Sequence, residues 1–197
     1  MDDGQLLEQR YAAGDEGAFQ ELISQYKDSV YAFLRRFLND RDLVDDVFQD
    51  TFMQLYVSRD TFDQTKPLRP WLFTIAANKA KDALRRRRRV DSINLGSMFD
   101  SDEHSIDDVL NTLDHDDRMP YDDLIREETA TEVKRVIARM PVKLREILIL
   151  AYFNKFPYAE IAGILGIPVG TVKSRLHIAV NRFAEDWDAV TMYETAN

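Results

Sequence analysis

Apolar positions recur at three- and four-residue steps along most of this chain and nowhere at steps of two, so the pattern predicts helices and no strands. Over 16–38, Phe19, Leu22, Ile23, Tyr26, Val30, Phe33, Leu34 and Phe37 form one inward stripe. Asn39-Asp40 interrupts it and suits the cap of a second helix over 42–57, with Val44, Val47, Phe48, Thr51, Phe52 and Leu55 facing inward. Residues 58–66 are polar and read as a loop. Pro67 and Pro70 open a third helix running to about Arg88, in which Trp71, Leu72, Ile75, Ala76, Lys79 and Ala83 repeat helically. Periodicity lapses over 91–120, where Asp, Ser, Asn and Gly dominate, apart from a short amphipathic turn around Ile106, Val109, Leu110 and Leu113. It resumes from Tyr121 through Leu124, Ile125, Val133, Val136, Ile137 and Met140, and Pro141 begins a further helix with Leu144, Ile147, Leu148 and Ala151. The fold class expected is all-α, with two small helical domains joined by a flexible acidic linker.

The pattern is most telling between Tyr158 and Phe183. A helix ends at Gly166, four residues after the small Ala162, and a second begins at Pro168. Glycine permits the positive φ of a sharp turn, and proline suits a first helical turn because it has no N–H to leave unpaired. Val172, Leu176, Ala179 and Phe183 make the inward stripe of the second helix, which puts Lys173, Ser174, His177 and Asn181 on the other side, flanked by Arg175 and Arg182. This is the pattern of a DNA-reading helix-turn-helix. Gly170 and Thr171 sit at its N-terminal end, where free backbone N–H groups meet phosphates. Arg175 is the best single candidate for a strong DNA contact, its alternative being a tie within the fold. An ordinary helical hairpin with a solvated polar face would not need a small residue, a glycine and a buried valine at these offsets.

Charge changes the picture. The net charge of −9 over 197 residues looks wrong for a DNA binder. Yet residues 91–128 hold 13 acidic and 2 basic residues, a net of −11, while residues 65–90 carry nine basic residues against Asp82 alone. Local charge, not the total, sets attraction to phosphates. No run approaches the roughly 20 apolar residues of a membrane span, and no secretion signal is visible at the N-terminus, so a cytoplasmic protein without membrane insertion is expected. The absence of cysteine excludes disulfides, zinc-thiolate sites and thiol catalysis.

No catalytic constellation is visible, and neither a metal nor a cofactor is expected. His104, His115 and His177 are far apart, and there is no glycine-rich phosphate loop. Asp45, Asp46 and Asp50 read as a solvated acidic face rather than a metal site, because no other ligand type accompanies them. Trp71, with Phe62 and Phe73, lies among Lys and Arg beside the run Arg85–Arg89. Aromatic rings interleaved with cations suit unpaired bases and the phosphates between them, whereas Trp71 also serves as a core residue.

Four segments together resemble the bacterial RNA polymerase sigma factors of the extracytoplasmic-function class: Asp42-Leu-Val-Asp-Asp-Val-Phe-Gln-Asp-Thr-Phe52; Trp71-Leu-Phe-Thr-Ile-Ala-Ala-Asn78 with Lys79 to Arg87; Met140-Pro-Val-Lys-Leu-Arg145-Glu-Ile-Leu; and Glu160-Ile-Ala with Gly170-Thr-Val-Lys-Ser-Arg175-Leu. The resemblance covers about residues 12–90 and 125–186. It implies a region 2-like domain over 1–90, an acidic linker over 91–124 and a region 4-like domain over 125–197. It further implies that Asp45, Asp46, Gln49 and Asp50 dock on core RNA polymerase. Phe62, Lys66, Trp71, Asn78, Lys79, Asp82, Arg85 and Arg86 would meet the −10 element of promoter DNA, and Gly170, Thr171, Lys173, Ser174, Arg175, His177 and Arg182 the −35 element. An anti-sigma factor is a further partner common in the class. Two features depart from the usual pattern: the linker is long and very acidic, and His177-Ile178-Ala179 stands where a basic residue often follows the histidine. The rival reading is a stand-alone helix-turn-helix regulator, which leaves the acidic face and the basic Trp-bearing helix unexplained.

Overall fold

The structure, a computed structural model, describes residues 3–95 and 129–195, with side-chain surroundings for 4–90 and 132–189. All regular elements among these residues are helical: α1 (Asp3–Ala12), α2 (Glu16–Leu38), α3 (Arg41–Val57), α4 (Leu68–Leu95), α5 (Thr129–Arg139), α6 (Val142–Leu148), α7 (Tyr158–Leu165) and α8 (Val169–Thr195), with a 3-10 turn at Arg59–Thr61 and a π-helical segment at Ile149–Phe153. Residues 91–95 of the expected tether belong instead to α4; the rest of it, and the turn around Ile106–Leu113, lie outside the described residues.

Local chemistry sets the boundaries. Asp15 accepts from the N–H groups of Gly17 and Ala18 and so caps α2. Asn39 at its other end takes a left-handed φ of 55°, which asparagine tolerates. Asp40 then accepts from Leu43 N–H to open α3. That backbone bond, with the Arg87 guanidinium beside it, holds the Asp40 carboxyl below the usual range. Helix α4 continues to Leu95, past the expected end near Arg88, and α8 runs to Thr195 rather than stopping near Phe183.

Helix α1 has no counterpart in the periodicity reading. It is held by Tyr11, 1% exposed, whose hydroxyl donates to Leu55 C=O at 2.6 Å. Burial pushes that phenol up to about 12. Helices α2, α3 and α4 pack on one another around Phe33, Phe37, Leu55, Leu72 and Phe73. In the C-terminal half α8 lies against α5, α6 and α7 over Ile137, Met140, Ile147, Val172 and Leu176. The two halves also touch: α4 packs on α7, and α2 packs on α5 and the π segment.

Candidate polymerase and nucleic-acid surfaces

On α3 the periodicity puts Val44, Val47 and Thr51 into the core and leaves Asp45, Asp46, Gln49 and Asp50 exposed. Asp45 accepts a hydrogen bond from Tyr31 hydroxyl at 2.9 Å. Asp46, Gln49 and Asp50 line a groove of about 470 Å³, floored by Leu43, Val47 and Ala83 and faced by Arg86, Arg87 and Val90 of α4. The acidic face and the basic end of α4 therefore share one concavity, which linear spacing did not reveal. The exposed stripe continues beyond Asp50 into Met53 and Val57, 65% and 69% exposed. Their three- and four-residue offsets from Asp50 and Met53 are the signal that could have found them.

On α4, Trp71, Asn78, Asp82 and Arg85 fall on one side of the helix, with Lys79 and Arg86 flanking them. Asn78, Asp82, Arg85 and Arg86 are exposed, and Trp71 and Lys79 are half-buried. Asp82 pairs with Arg85 at 3.2 Å. Trp71 stacks on Phe62 with ring centroids 4.9 Å apart. Phe62 is itself only 8% exposed and leans on Tyr11, so it forms a platform under the indole rather than a free face. Lys66 is exposed and pairs with Asp63 at 3.3 Å. Asp63 is held below the usual carboxylate range first by Thr65 and then by Lys66.

The turn between α7 and α8 takes the predicted form. Gly166 has φ 67°, and Ile167 N–H reaches back to Ala162 C=O at 3.1 Å, a Schellman-type closure. The first ladder bond of α8 runs from Val172 N–H to Pro168 C=O, so the N–H groups of Gly170 and Thr171 precede the ladder. Around Gly170 there is open space, with nothing within 4 Å of where a Cβ would stand. Lys173 and His177 are exposed, and Asn181 Nδ2 lies 3.2 Å from His177 Nε2. Ser174 Oγ lies 3.2 Å from the carbonyls of Gly170 and Thr171. Arg182 is exposed but engages Asp186 at 3.1 Å.

Arg175 is placed differently from its neighbours. It is half-buried, with Nε shielded, and its charge acts on Glu146, which is 4% exposed. Burial pushes the Glu146 carboxyl up, and Lys81 at 3.5 Å, then Arg175 and Lys143, offset part of that push. The structure thus favours the tie within the fold that the sequence left open for Arg175.

Comparison with known proteins agrees with this arrangement. Sigma-70 region 2 matches residues 22–90, and a sigma-70 region 4 matches residues 130–182. The ECF RNA polymerase sigma factor SigW of Bacillus subtilis is 30% identical over 83% of this chain and 86% of its own length. The ECF RNA polymerase sigma-E factor of Escherichia coli is 31% identical over 87% of each chain. The sigma factor RpoE of Bartonella quintana, solved with the anti-sigma factor NepR, superposes with a TM-score of 0.65 at 26% identity, over 86% of this chain and 96% of that one. CnrH, solved with the cytosolic domain of CnrY, shares the fold with a TM-score of 0.69 at 24% identity, over 95% of this chain and 99% of that one. With two matched regions in order, and relatives aligned along most of both lengths, this chain belongs to the extracytoplasmic-function sigma factors of the sigma-70 family.

Proposed function

We propose that three exposed surfaces divide the work of directing RNA polymerase to promoters. The α3 stripe Asp45, Asp46, Gln49 and Asp50, extended by Met53 and Val57, docks on core polymerase. The α4 stripe meets the −10 element: Trp71, propped by Phe62, stacks on an unpaired base, Asn78, Lys79 and Asp82 flank it, and Lys66, Arg85 and Arg86 meet phosphates. The N-terminal turns of α8 enter the major groove at the −35 element, with Gly170 and Thr171 on a phosphate and Lys173, Ser174 and His177 at base edges. Arg182 flanks them, and Arg175 acts by holding α8 in place.

The observation that carries this reading is the groove in which the acidic α3 face and the basic end of α4 meet. On this reading a protein-docking face stands beside a nucleic-acid face, which a stand-alone helix-turn-helix regulator does not need. The chain performs no chemistry of its own; bond formation belongs to the polymerase. No helix among the described residues is long and apolar enough to cross a membrane, and the site of action is the cytoplasm, where the polymerase and its DNA are. Residues 1–90 and 125–197 act as two domains joined through 91–124, and an anti-sigma factor is a further partner.

The test is Asp46→Arg. Reversing a charge at a complementary contact costs ~2–5 kcal/mol of association. The exposed position leaves the fold intact. Holoenzyme assembly, followed by gel filtration and promoter-specific run-off transcription, should fall with unchanged thermal unfolding. Assembly and transcription at the wild-type level would show that α3 is not the docking face.

A further inference from the structure

Where α2 ends and α3 begins, the chain gathers positive charge around a concavity. Arg35, Arg36, Arg41 and Lys134, together with Asn39 and Asp40, line a cavity of about 360 Å³. The first two stand in the last turn of α2, Arg41 opens α3, and Lys134 comes from α5. Arg35, Arg41 and Lys134 are exposed and make no hydrogen bond or ion pair among the described residues. Arg36 is half-buried and fixed in place: its guanidinium donates to Ala32 C=O at 3.1 Å and lies 4.5 Å over the Phe153 ring. The one carboxylate in the lining, Asp40, is already engaged by Leu43 N–H and by Arg87.

Helix chemistry accounts for half of this charge. Cations in the last turn of a helix offset its negative end, so Arg35 and Arg36 stabilise α2 where they stand. Arg41 does the opposite, because it sits on the positive end of α3, where a carboxylate is favoured. Lys134 is in the interior of α5, away from either end of that helix. Bringing four cations to one concavity raises the energy of the fold through mutual repulsion, and the positive end of α3 opens on the same space. An anion in the cavity reverses the sign of all these terms.

Shape and lining narrow the class of that anion. A single phosphate carries at most about two charges, too few for four cations. Cations that track a nucleic-acid strand lie along an open surface, whereas these surround one cavity, near the small end of the range for small-molecule sites. Its lining holds no aromatic ring and only Ala32 as an apolar wall, so it grips neither a base nor an acyl chain. Guanidinium forks match phosphate oxygens in pairs. We propose that this cavity binds a short polyphosphate, two or three linked phosphates, either free or as the tail of a nucleotide whose base stays outside. The site shares no residue with the surfaces proposed for polymerase and promoter, and it does not rest on that reading.

The test is calorimetric titration of the full chain with sodium tripolyphosphate, ATP without magnesium, orthophosphate and a short duplex of scrambled sequence. Tripolyphosphate should bind once per chain, at least about tenfold more tightly than orthophosphate. ATP binding as tightly as tripolyphosphate admits the nucleotide tail as a source; weaker binding restricts the site to the free anion. Arg35→Ala combined with Arg41→Ala removes two charge-assisted contacts and should weaken tripolyphosphate by about a hundredfold, and Lys134→Ala alone by about tenfold. Lys27→Ala combined with Arg139→Ala, which removes two exposed cations from the same helices α2 and α5 outside the cavity, should leave binding within about twofold. Circular dichroism of each variant separates lost binding from lost fold; if the arginine pair disturbs α2 or α3, Lys134→Ala decides alone. No saturable binding of tripolyphosphate, equal affinity for orthophosphate, or equal loss in the control pair overturns the site. So does a duplex that loses as much affinity as tripolyphosphate in the cavity variants, since these cations then belong to a nucleic-acid track.

Discussion

Gly170→Ala separates folding from DNA binding at a single atom. Gly170 is the second residue of α8, has no positive φ, and has nothing within 4 Å of an added Cβ. Alanine therefore meets no clash in the free protein. It also lowers the entropy cost of ordering the backbone, so the variant should be more stable than wild type by about 0.5–1 kcal/mol. That is a rise of a few degrees in melting temperature for a domain of this size. The same methyl group fills the space a phosphate needs in order to reach the N–H groups of Gly170 and Thr171. One charge-assisted hydrogen bond is worth about 1.5–3 kcal/mol, so affinity for the −35 element should fall about tenfold or more. Because a phosphate contact is lost, the loss should be similar for every sequence, and because the lost donors are neutral N–H groups the slope of affinity against salt should stay unchanged. The assay is fluorescence anisotropy of the full chain on a −35 duplex and on scrambled duplexes at several salt concentrations, beside thermal unfolding. A stabilised variant that binds DNA as tightly as wild type would refute the placement of a phosphate at this helix end.

Three further outcomes follow from the geometry. Glu146 has a folded-state carboxyl raised above its unfolded value by burial, so the folded chain binds the extra proton and Glu146's contribution to stability falls as pH rises from the unfolded carboxylate range through the raised value. The unfolding free energy of wild type minus that of Glu146→Gln should therefore decrease over that window; a flat difference across pH 4–8 would contradict the burial. Tyr11→Phe leaves the Leu55 carbonyl without its donor and should cost about 1–3 kcal/mol in urea unfolding, with no change meaning that water replaces the hydroxyl. Trp71→Ala should impair opening of the −10 duplex, read by permanganate reactivity, while holoenzyme still forms; normal opening would return Trp71 to the core.

The long helices were legible because each buries a stripe at helical spacing: α2 has the bounds 16–38 expected for it, and α3 starts one residue early. Helix α1 was missed because its apolar residues are few, and contacts that hold it lie far along the chain: the Tyr11 hydroxyl donates to Leu55 C=O, and the Glu8 carboxylate accepts from Leu68 N–H. The end of α4 was set too early because the arginine run reads as a solvated terminus, yet arginine is a good helix former and the backbone continues through it. The π segment at Ile149–Phe153 inserts a residue into the ladder, which a fixed 3.6-residue period does not see. The helix-turn-helix was legible to the residue at Gly166, because a left-handed turn leaves a chemical mark. The packing of Phe73 on Phe156 was not: in the sequence Phe73 groups with Trp71 and Phe62 among the cations, although it is fully buried, and Phe156 stands in none of the periodic stripes.

Arg175 shows how the remaining ambiguity bears on affinity. A helical wheel places it at the edge of the DNA-facing side, yet it is half-buried, with Nε shielded and its charge acting on the buried Glu146. With Arg175 drawn inward and Arg182 engaged by Asp186, the groove-facing part of α8 is left with Lys173, Ser174, His177 and two backbone N–H groups. Since most nonspecific affinity comes from cations on phosphates, a reader so furnished binds weakly by itself and shows a shallow salt slope. Its hold on a promoter then has to come from attachment: once the α3 face is on the polymerase and the α4 stripe is on the −10 element, α8 meets its element as an intramolecular event at an effective concentration far above that of the free chain. An acidic protein with a lightly charged reader would thus occupy promoters only as part of the holoenzyme.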